Sequence, residues 1–385
     1  MKQISLFSFL FSLFFLTGIT SCKKETNPSS KGTMPLVSNT SSIKYATGFE
    51  IIETATYRKL IIKSPYPNAK EEQTAIFVKP FKKYADFSNG KHVFYHPIEK
   101  IVVTSTTHIP MLELLNKENS LVGFPNSKYI SSPKTRVLID KGTIQELGKE
   151  QSINTELLLD LQPELVVGFS MSSNNKMFTN IEKAGIPVLL NGDWLEKTPL
   201  GRAEWIKFFG LIYGKEKLAD SIFKTIETEY LRAKRIALQA KNKPKVLSGA
   251  MYKDKWNLPA GESYGAQFLI DANVNYPWQD SKGNGSLSLS FESIYNKSKD
   301  ADYWLSPSFF SSYQQLEEAN QHYTQFDAFK NKKIYNFMNK KGVTGGILYY
   351  ELAPIQPHIV LKDIIKTVHP ELLKDYKPFY LEAIN

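Results

Sequence analysis

The chain has 385 residues, of which 42% are hydrophobic and 22% charged, with a formal net charge of +10. That length holds two ordinary domains of about 100–200 residues each, and the composition excludes a disordered or low-complexity protein. The basic residues are dispersed rather than blocked with interleaved aromatics, so nucleic acid is not an expected partner.

In chain order, Lys2 precedes an apolar run, Leu6 to Leu16, interrupted only by Ser8 and Ser12. The run is shorter than the roughly 20 residues a membrane-spanning helix needs and has the layout of a secretory signal, so 1–21 reads as a signal peptide. Cys22 is the only cysteine, which excludes disulfides within the chain. Its position after Ile19-Thr20-Ser21 resembles the lipobox of bacterial lipoproteins, which implies lipidation at Cys22 and attachment to a membrane. Residues 22–44 are polar and aperiodic and read as a flexible tether.

Residues 45–95 read as a β extension, with strands at Tyr57–Lys63 and Thr74–Lys79 separated by Ser64-Pro65-Tyr66-Pro67-Asn68. From residue 96 strands alternate with helices: Ile101–Val103, Leu121–Phe124, Leu165–Gly168 and Ile186–Leu190 are short apolar strands. That alternation predicts a parallel sheet over 96–214, followed by an amphipathic helix from Pro199 to Tyr213. Leu218, Ile222, Phe223, Ile226, Tyr230, Ala233 and Ala237 recur at helical spacing with no Gly or Pro before Pro244, predicting one long helix over 215–241. Alternation restarts over 242–385. A capping residue followed by Glu opens a helix and then a strand at Asn154-Thr155-Glu156 and again at Ser290-Phe291-Glu292, a faint repeat that supports two equivalent lobes. The expected fold is therefore α/β: two Rossmann-like lobes, each with a central parallel sheet, joined by a single long helix, plus the N-terminal β extension.

Over 96–371 the chain resembles the substrate-binding proteins of iron-siderophore, haem and cobalamin ABC importers. The resemblance is carried by Pro97–Val103, Leu112–Phe124, Glu146-Leu147-Gly148, Ile153–Leu158, Leu161–Val167, Gly185–Val188, Pro199–Trp205, Gly261–Tyr264 and Ala301–Trp304. It implies a lipid-anchored binding component that captures a ferric siderophore or related metal chelate and delivers it to a permease and its ATPase. Haem or a corrinoid are the alternative cargoes. It also implies a monomer without catalysis or resident cofactor, in the cell envelope on the periplasmic side, or on the outer face of a single membrane. Such proteins dock through a surface carboxylate on each lobe. The corresponding N-lobe segment, Ser172–Lys176, has no acid, while Glu317 and Glu318 are the C-lobe candidates. Ile109-Pro110 stands where the family usually carries Thr-Glu.

Ligands of open α/β sheets sit beyond the C-terminal ends of the strands. The loops there nominate Ser105, His108, Ser170, Met171, Trp194 and Arg202 in the N-lobe, and Tyr252, Trp256, Ser308, Phe309 and Tyr350 in the C-lobe. Aromatics suit a large planar or hydrophobic-rimmed ligand. His108 is the candidate axial ligand to haem iron or cobalt, though a loop histidine serves equally as a polar contact. Arg202 suits an anionic chelate or an ion pair with Glu204 or Glu196. A lipid-anchored hydrolase is the contrasting class, but Gly168-Phe169-Ser170-Met171-Ser172 lacks the second glycine of a nucleophile elbow.

Overall fold

The computed structural model describes residues 43–80, 92–149 and 152–385. The signal peptide, Cys22 and all of the tether but its last two residues lie outside them.

The extension forms a four-stranded sheet, β1 (Phe49–Glu53), β2 (Tyr57–Ile62), β3 (Gln73–Val78) and β4 (Val93–Phe94), in that order. The first three are antiparallel, and β4 runs parallel to β3. Leu60, Ile62, Ala75 and Phe77 turn inward at strand spacing and join the main core. Lys44 is not free tether: its backbone N–H donates to both carboxylate oxygens of Glu204, and its ammonium pairs with Glu227 at 2.6 Å.

The N-lobe is built on β5 (Ile101–Val103), β6 (Leu121–Phe124), β7 (Gln145–Glu146), β10 (Leu165–Gly168) and β11 (Val188–Leu190), with a small hairpin of β8 (Gly148–Lys149) and β9 (Ser152–Ile153) beside it. Strand order is β11-β10-β5-β6-β7, all parallel. Alternate residues serve opposite faces: Val103 and Val167 enter the main core, while Val102 and Val166 pack under Leu158, Phe178 and Ile181. The helices are α1 (Ile109–Leu114), α2 (Pro133–Asp140), α3 (Thr155–Leu161) and α4 (Lys176–Lys183). Asn154 caps α3 by accepting from the Leu157 N–H.

The helix expected from Pro199 to Tyr213 is two helices, α5 (Pro199–Glu204) and α6 (Ile206–Ile212), and α6 is buried all round rather than amphipathic. The extension supplies part of the cover: the Phe49 ring lies 4.5 Å from that of Trp205 and 6.5 Å from that of Phe208, centroid to centroid.

The long helix is α7 (Glu216–Ala237), 22 residues and so about 33 Å. Its buried stripe, Ala219, Phe223, Ile226, Tyr230, Ala233 and Ala237, packs on α6 of the N-lobe and α13 (Pro357–Val368) of the C-lobe. Gly210 lets α6 approach: a Cβ there would lie 2.5 Å from that of Ala219. At the C-lobe end Tyr230 donates to Asp271 at 2.6 Å, and Lys362 pairs with Glu229 at 2.6 Å.

The C-lobe sheet has the order β12-β16-β17-β18, from β12 (Val246–Ser248), β16 (Tyr303–Leu305), β17 (Ile334–Asn336) and β18 (Glu382–Ala383). The first three are parallel and β18 is antiparallel, so this sheet is mixed. A second, antiparallel sheet joins β13 (Ala250–Tyr252), β14 (Lys255–Pro259) and β15 (Ser286–Leu289). The remaining helices are α8 (Tyr264–Asp271), α9 (Phe291–Ser298), α10 (Tyr313–Ala319), α11 (Asp327–Lys330) and α12 (Leu348–Leu352).

Candidate functional site

The lobes meet where the N-lobe strands end. Beyond β5, β6 and β10 lie Thr104-Ser105-Thr106, Pro125-Asn126 and Phe169. Opposite them stands a C-lobe strap, Lys341 to Ile347, closed by a bridge between those two residues and leading into α12. Between them is a cavity of about 370 Å³, whose C-lobe wall is Gly345, Gly346, Ile347 and Tyr350. A neighbouring hollow of about 460 Å³ shares Phe169 and takes Ser170 and Met171. A space of about 620 Å³ lies between the extension and β11, and no C-lobe residue lines it.

Strap and N-lobe are in direct contact. A Cβ on Gly346 would lie 2.5 Å from the Tyr129 carbonyl oxygen, and one on Gly342 2.7 Å from Ser131 Cβ. Glu351, from α12, is 1% exposed and accepts the backbone N–H groups of Ser131 at 2.6 Å and Ser132 at 3.0 Å. Burial pushes its carboxyl up to about 7, against the lowering effect of those N–H groups.

Behind Ser105 the floor is polar. Thr107 Oγ1 donates to Asp193 at 3.4 Å, and burial lifts Asp193 to about 6 although the Arg202 charge opposes it. Arg202 forms no ion pair with Glu204 or Glu196. It lies 3.7 Å over the Tyr264 ring of the C-lobe and donates to the Trp194 carbonyl at 2.8 Å. Both glutamates are used elsewhere: Glu204 accepts from the backbone of Lys44, Tyr45 and Ala46, and Glu196 from Thr47, Gly48 and the Trp205 indole.

Of the sequence candidates, Ser105 and Tyr350 line the inter-lobe cavity, and Ser170 and Met171 line the neighbouring hollow. Trp194 sits against Phe169, ring centroids 5.2 Å apart. Two candidates are corrected. Trp256 is fully buried among Trp304, Tyr323 and Phe326, because Ala250–Trp256 is a hairpin and the alternation along β14 turns the indole inward. His108 is 1% exposed with its ring against Phe209, and burial drives it down to about 3, so it is a neutral core residue. Tyr252, Ser308 and Phe309 are exposed and do not line the cavity; Asn336 pins that loop by donating to the Ser308 and Phe310 carbonyls. Glu317 and Glu318 are exposed on α10. Asn126, Tyr129, Tyr264 and Glu351 were not nominated. The strand-end rule would have found Asn126, two residues after β6.

This arrangement suits holding rather than transforming. Ser170 donates to the Ser172 carbonyl at 2.8 Å, not to an imidazole. Two α/β lobes on one rigid helix, with a cavity at their shared edge, define a two-lobed binding protein. Residues 101–340 match the periplasmic binding protein family, and the chain belongs to it. This is a family of binding proteins, not of enzymes.

An uncharacterized lipoprotein of Methanocaldococcus jannaschii is 26% identical over 347 residues, covering 88% of this chain and 78% of that one. Solved structures with the same fold include a possible iron-binding periplasmic solute-binding protein of Staphylococcus epidermidis, with TM-score 0.56 and 18% identity. That likeness covers 71% of this chain and 99% of that one. A periplasmic heme-binding protein of Pseudomonas aeruginosa matches with TM-score 0.56 and 16% identity, covering 75% and 98%. Among the described residues no helix is long and apolar enough to cross a membrane.

Proposed function

We propose that this chain is the lipid-anchored binding component of an ABC importer and captures a metal chelate between its lobes for delivery to a membrane permease and its ATPase. The observation that carries the reading is the cavity bounded by both lobes, with N-lobe strand ends on one side and the strap on the other. Neither lobe alone encloses it. Helix α7 packs on both lobes and limits their relative motion, so loading makes small adjustments at the strap rather than a wide hinge closure. Lipidation at Cys22 would hold the protein at the envelope, beside its permease. The lipoprotein relative supports that placement, and the iron- and heme-binding neighbours support a metal chelate as cargo.

Calorimetric and visible-absorption titration of the full chain with ferric siderophores, haem and a corrinoid tests the reading. Saturable one-to-one binding of one of them, and stimulation of the importer's ATPase by the loaded protein, are expected. Binding of none would overturn it.

A further inference from the structure

Helix α7 carries an asymmetry of charge that its packing on the two lobes leaves unused. Its four carboxylates all meet cations of other segments. Glu216 pairs with Arg58 of β2 at 2.9 Å, Asp220 with Lys207 of α6 at 3.4 Å, Glu227 with Lys44 at 2.6 Å and Glu229 with Lys362 of α13 at 2.6 Å. Of its basic residues, Lys234 pairs with Asp271 at 2.7 Å, and Arg232 lies 3.7 Å from Glu229. Lys217, Lys224 and Arg235 are exposed and take part in none of these pairs. They fall seven and eleven residues apart, close to two and three whole turns. They therefore stand in one row about 27 Å long, opposite the buried stripe, with the exposed hydroxyls of Ser221 and Thr228 between them. Lys241 and Lys243, both exposed, continue the row beyond the helix, where Leu238 is 66% exposed. An ordinary solvated face mixes both signs. This one shows a single sign, because the acids of the helix are all committed to the body of the protein.

The described chain begins on the same helix. The Lys44 ammonium and the Tyr45 hydroxyl both donate to Glu227 at 2.6 Å, and the Tyr45 ring lies 6.0 Å from that of Phe223. Residues 23–42 separate this point from Cys22, and a segment of that length spans at most about 70 Å even fully extended. That segment is itself basic, with Lys23, Lys24 and Lys31 against Glu25. A lipid anchor at Cys22 ties α7 to a bilayer by this short connection. Phosphodiester headgroups suit the row: guanidinium grips phosphate as a fork and ammonium as a point charge. Each Lys or Arg near an anionic membrane surface strengthens attachment about fivefold.

We infer that the outer face of α7 is a membrane-docking surface, which lays the anchored protein on anionic phospholipid headgroups through Lys217, Lys224 and Arg235. Leu238 enters the headgroup layer at one end of the row. No α7 residue lines the inter-lobe cavity, so docking does not occupy it. The inference takes from the proposed function only the anchor at Cys22.

The test places the full chain, purified from membranes, in nanodiscs of phosphatidylcholine or of phosphatidylglycerol. Amine labelling read by mass spectrometry follows each lysine. Lys217 and Lys224 are expected to label about tenfold more slowly on phosphatidylglycerol, and Lys183 and Lys253 equally on both; high salt should abolish the difference. Energy transfer from the tryptophans to a headgroup dye then compares two triple variants of equal net charge. Lys217→Glu with Lys224→Glu and Arg235→Glu should lower the ratio of docked to free protein about a hundredfold. Lys141→Glu with Lys183→Glu and Lys253→Glu, exposed elsewhere, should lower it by less than about threefold. Equal labelling of Lys217 and Lys224 on the two discs, or equal losses in the two variants, would overturn the inference and leave the import reading standing. Protection that needs an added importer permease and not phosphatidylglycerol would also overturn it and assign the row to a protein. A mass showing Cys22 unmodified would overturn both the docking and the anchor of the import reading.

Discussion

The two lobes share a plan and use it differently. The N-lobe sheet is parallel throughout and delivers three successive strand ends to the cavity. The C-lobe has three parallel strands with an antiparallel edge, and its aromatic residues near the strand ends have been drawn into a core, Trp256 and Trp304 with Tyr323 and Phe326. It reaches the cavity through a strap and the start of α12 instead. Fold equivalence between lobes therefore does not carry over to equivalence of binding surfaces: the N-lobe supplies a floor of strand ends, and the C-lobe a strap that the proposed function makes an adjustable wall.

The largest expected effect breaks the C-lobe without touching the cavity. Trp256→Ala should cost about 3–5 kcal/mol, the range for emptying a buried aromatic site. Tyr252→Ala, a few residues away but 69% exposed, should stay within about 0.5 kcal/mol. Chemical denaturation of both variants checks the contrast; equal effects would mean the indole is not core.

The N-lobe counterpart is the anchor of its extension. Glu204→Ala strips the acceptor from three backbone N–H groups and removes the nearer carboxylate from Lys207. A loss of about 3 kcal/mol is expected, as for removal of one partner from a buried charged network. Limited proteolysis should then cut residues 43–80 early. Survival of that segment would show that its apolar packing on the main core and the Glu196 contacts hold it without Glu204.

A smaller effect sharpens the idea of an adjustable wall. Gly346→Ala sets a methyl group against the Tyr129 carbonyl and should push the strap outward. Chelate affinity should fall about tenfold while the denaturation midpoint barely moves. An unchanged affinity would show that the strap is not a binding wall.

The N-lobe was the more legible half, for a physical reason. Parallel strands covered on both faces read as unbroken apolar runs, as in Ile101-Val102-Val103 and Leu165-Val166-Val167, and such runs stand out. Helix α7 was equally plain because its apolar stripe runs through many turns without a breaker. The alternation Lys255-Trp256-Asn257-Leu258 is a strand signal too, but nothing in so short a run says which face is covered. Contacts between distant segments were invisible: the Lys44 backbone meets Glu204 across 160 positions, and Ser131 meets Glu351 across 220. A polar residue whose partner is that far away looks like any surface residue. His108 misled in the opposite direction, because its position after a strand suggested the cleft, whereas one turn of helix rotates its ring into the core.

The finest test of the division between floor and wall is pH. Glu351 is the C-lobe carboxylate that receives N-lobe backbone N–H groups, and burial lifts it from the ordinary 4.5 to about 7. Glu113, which accepts from Ser132 and Thr135 hydroxyls, faces it from α1 and raises it further, and Tyr380 lies within its field. A raised folded-state value means that the folded, latched state binds more protons than the opened or unfolded chain. This contribution to stability is complete below about 4.5 and disappears as pH rises to about 7. Above that, an ionised carboxylate gains by separating from Ser131 and Ser132 into water. Between pH 5 and 8 the melting temperature should therefore fall by ~2–4 °C from this group alone. Glu351→Gln keeps an acceptor without the charge, and should flatten that slope while leaving the acid-limb value nearly unchanged. Asp193, at about 6, lies in the same window but belongs to the floor, beneath Thr107 and beside Arg202. A slope that survives in Glu351→Gln and disappears in Asp193→Asn would move the pH sensitivity from the wall to the floor.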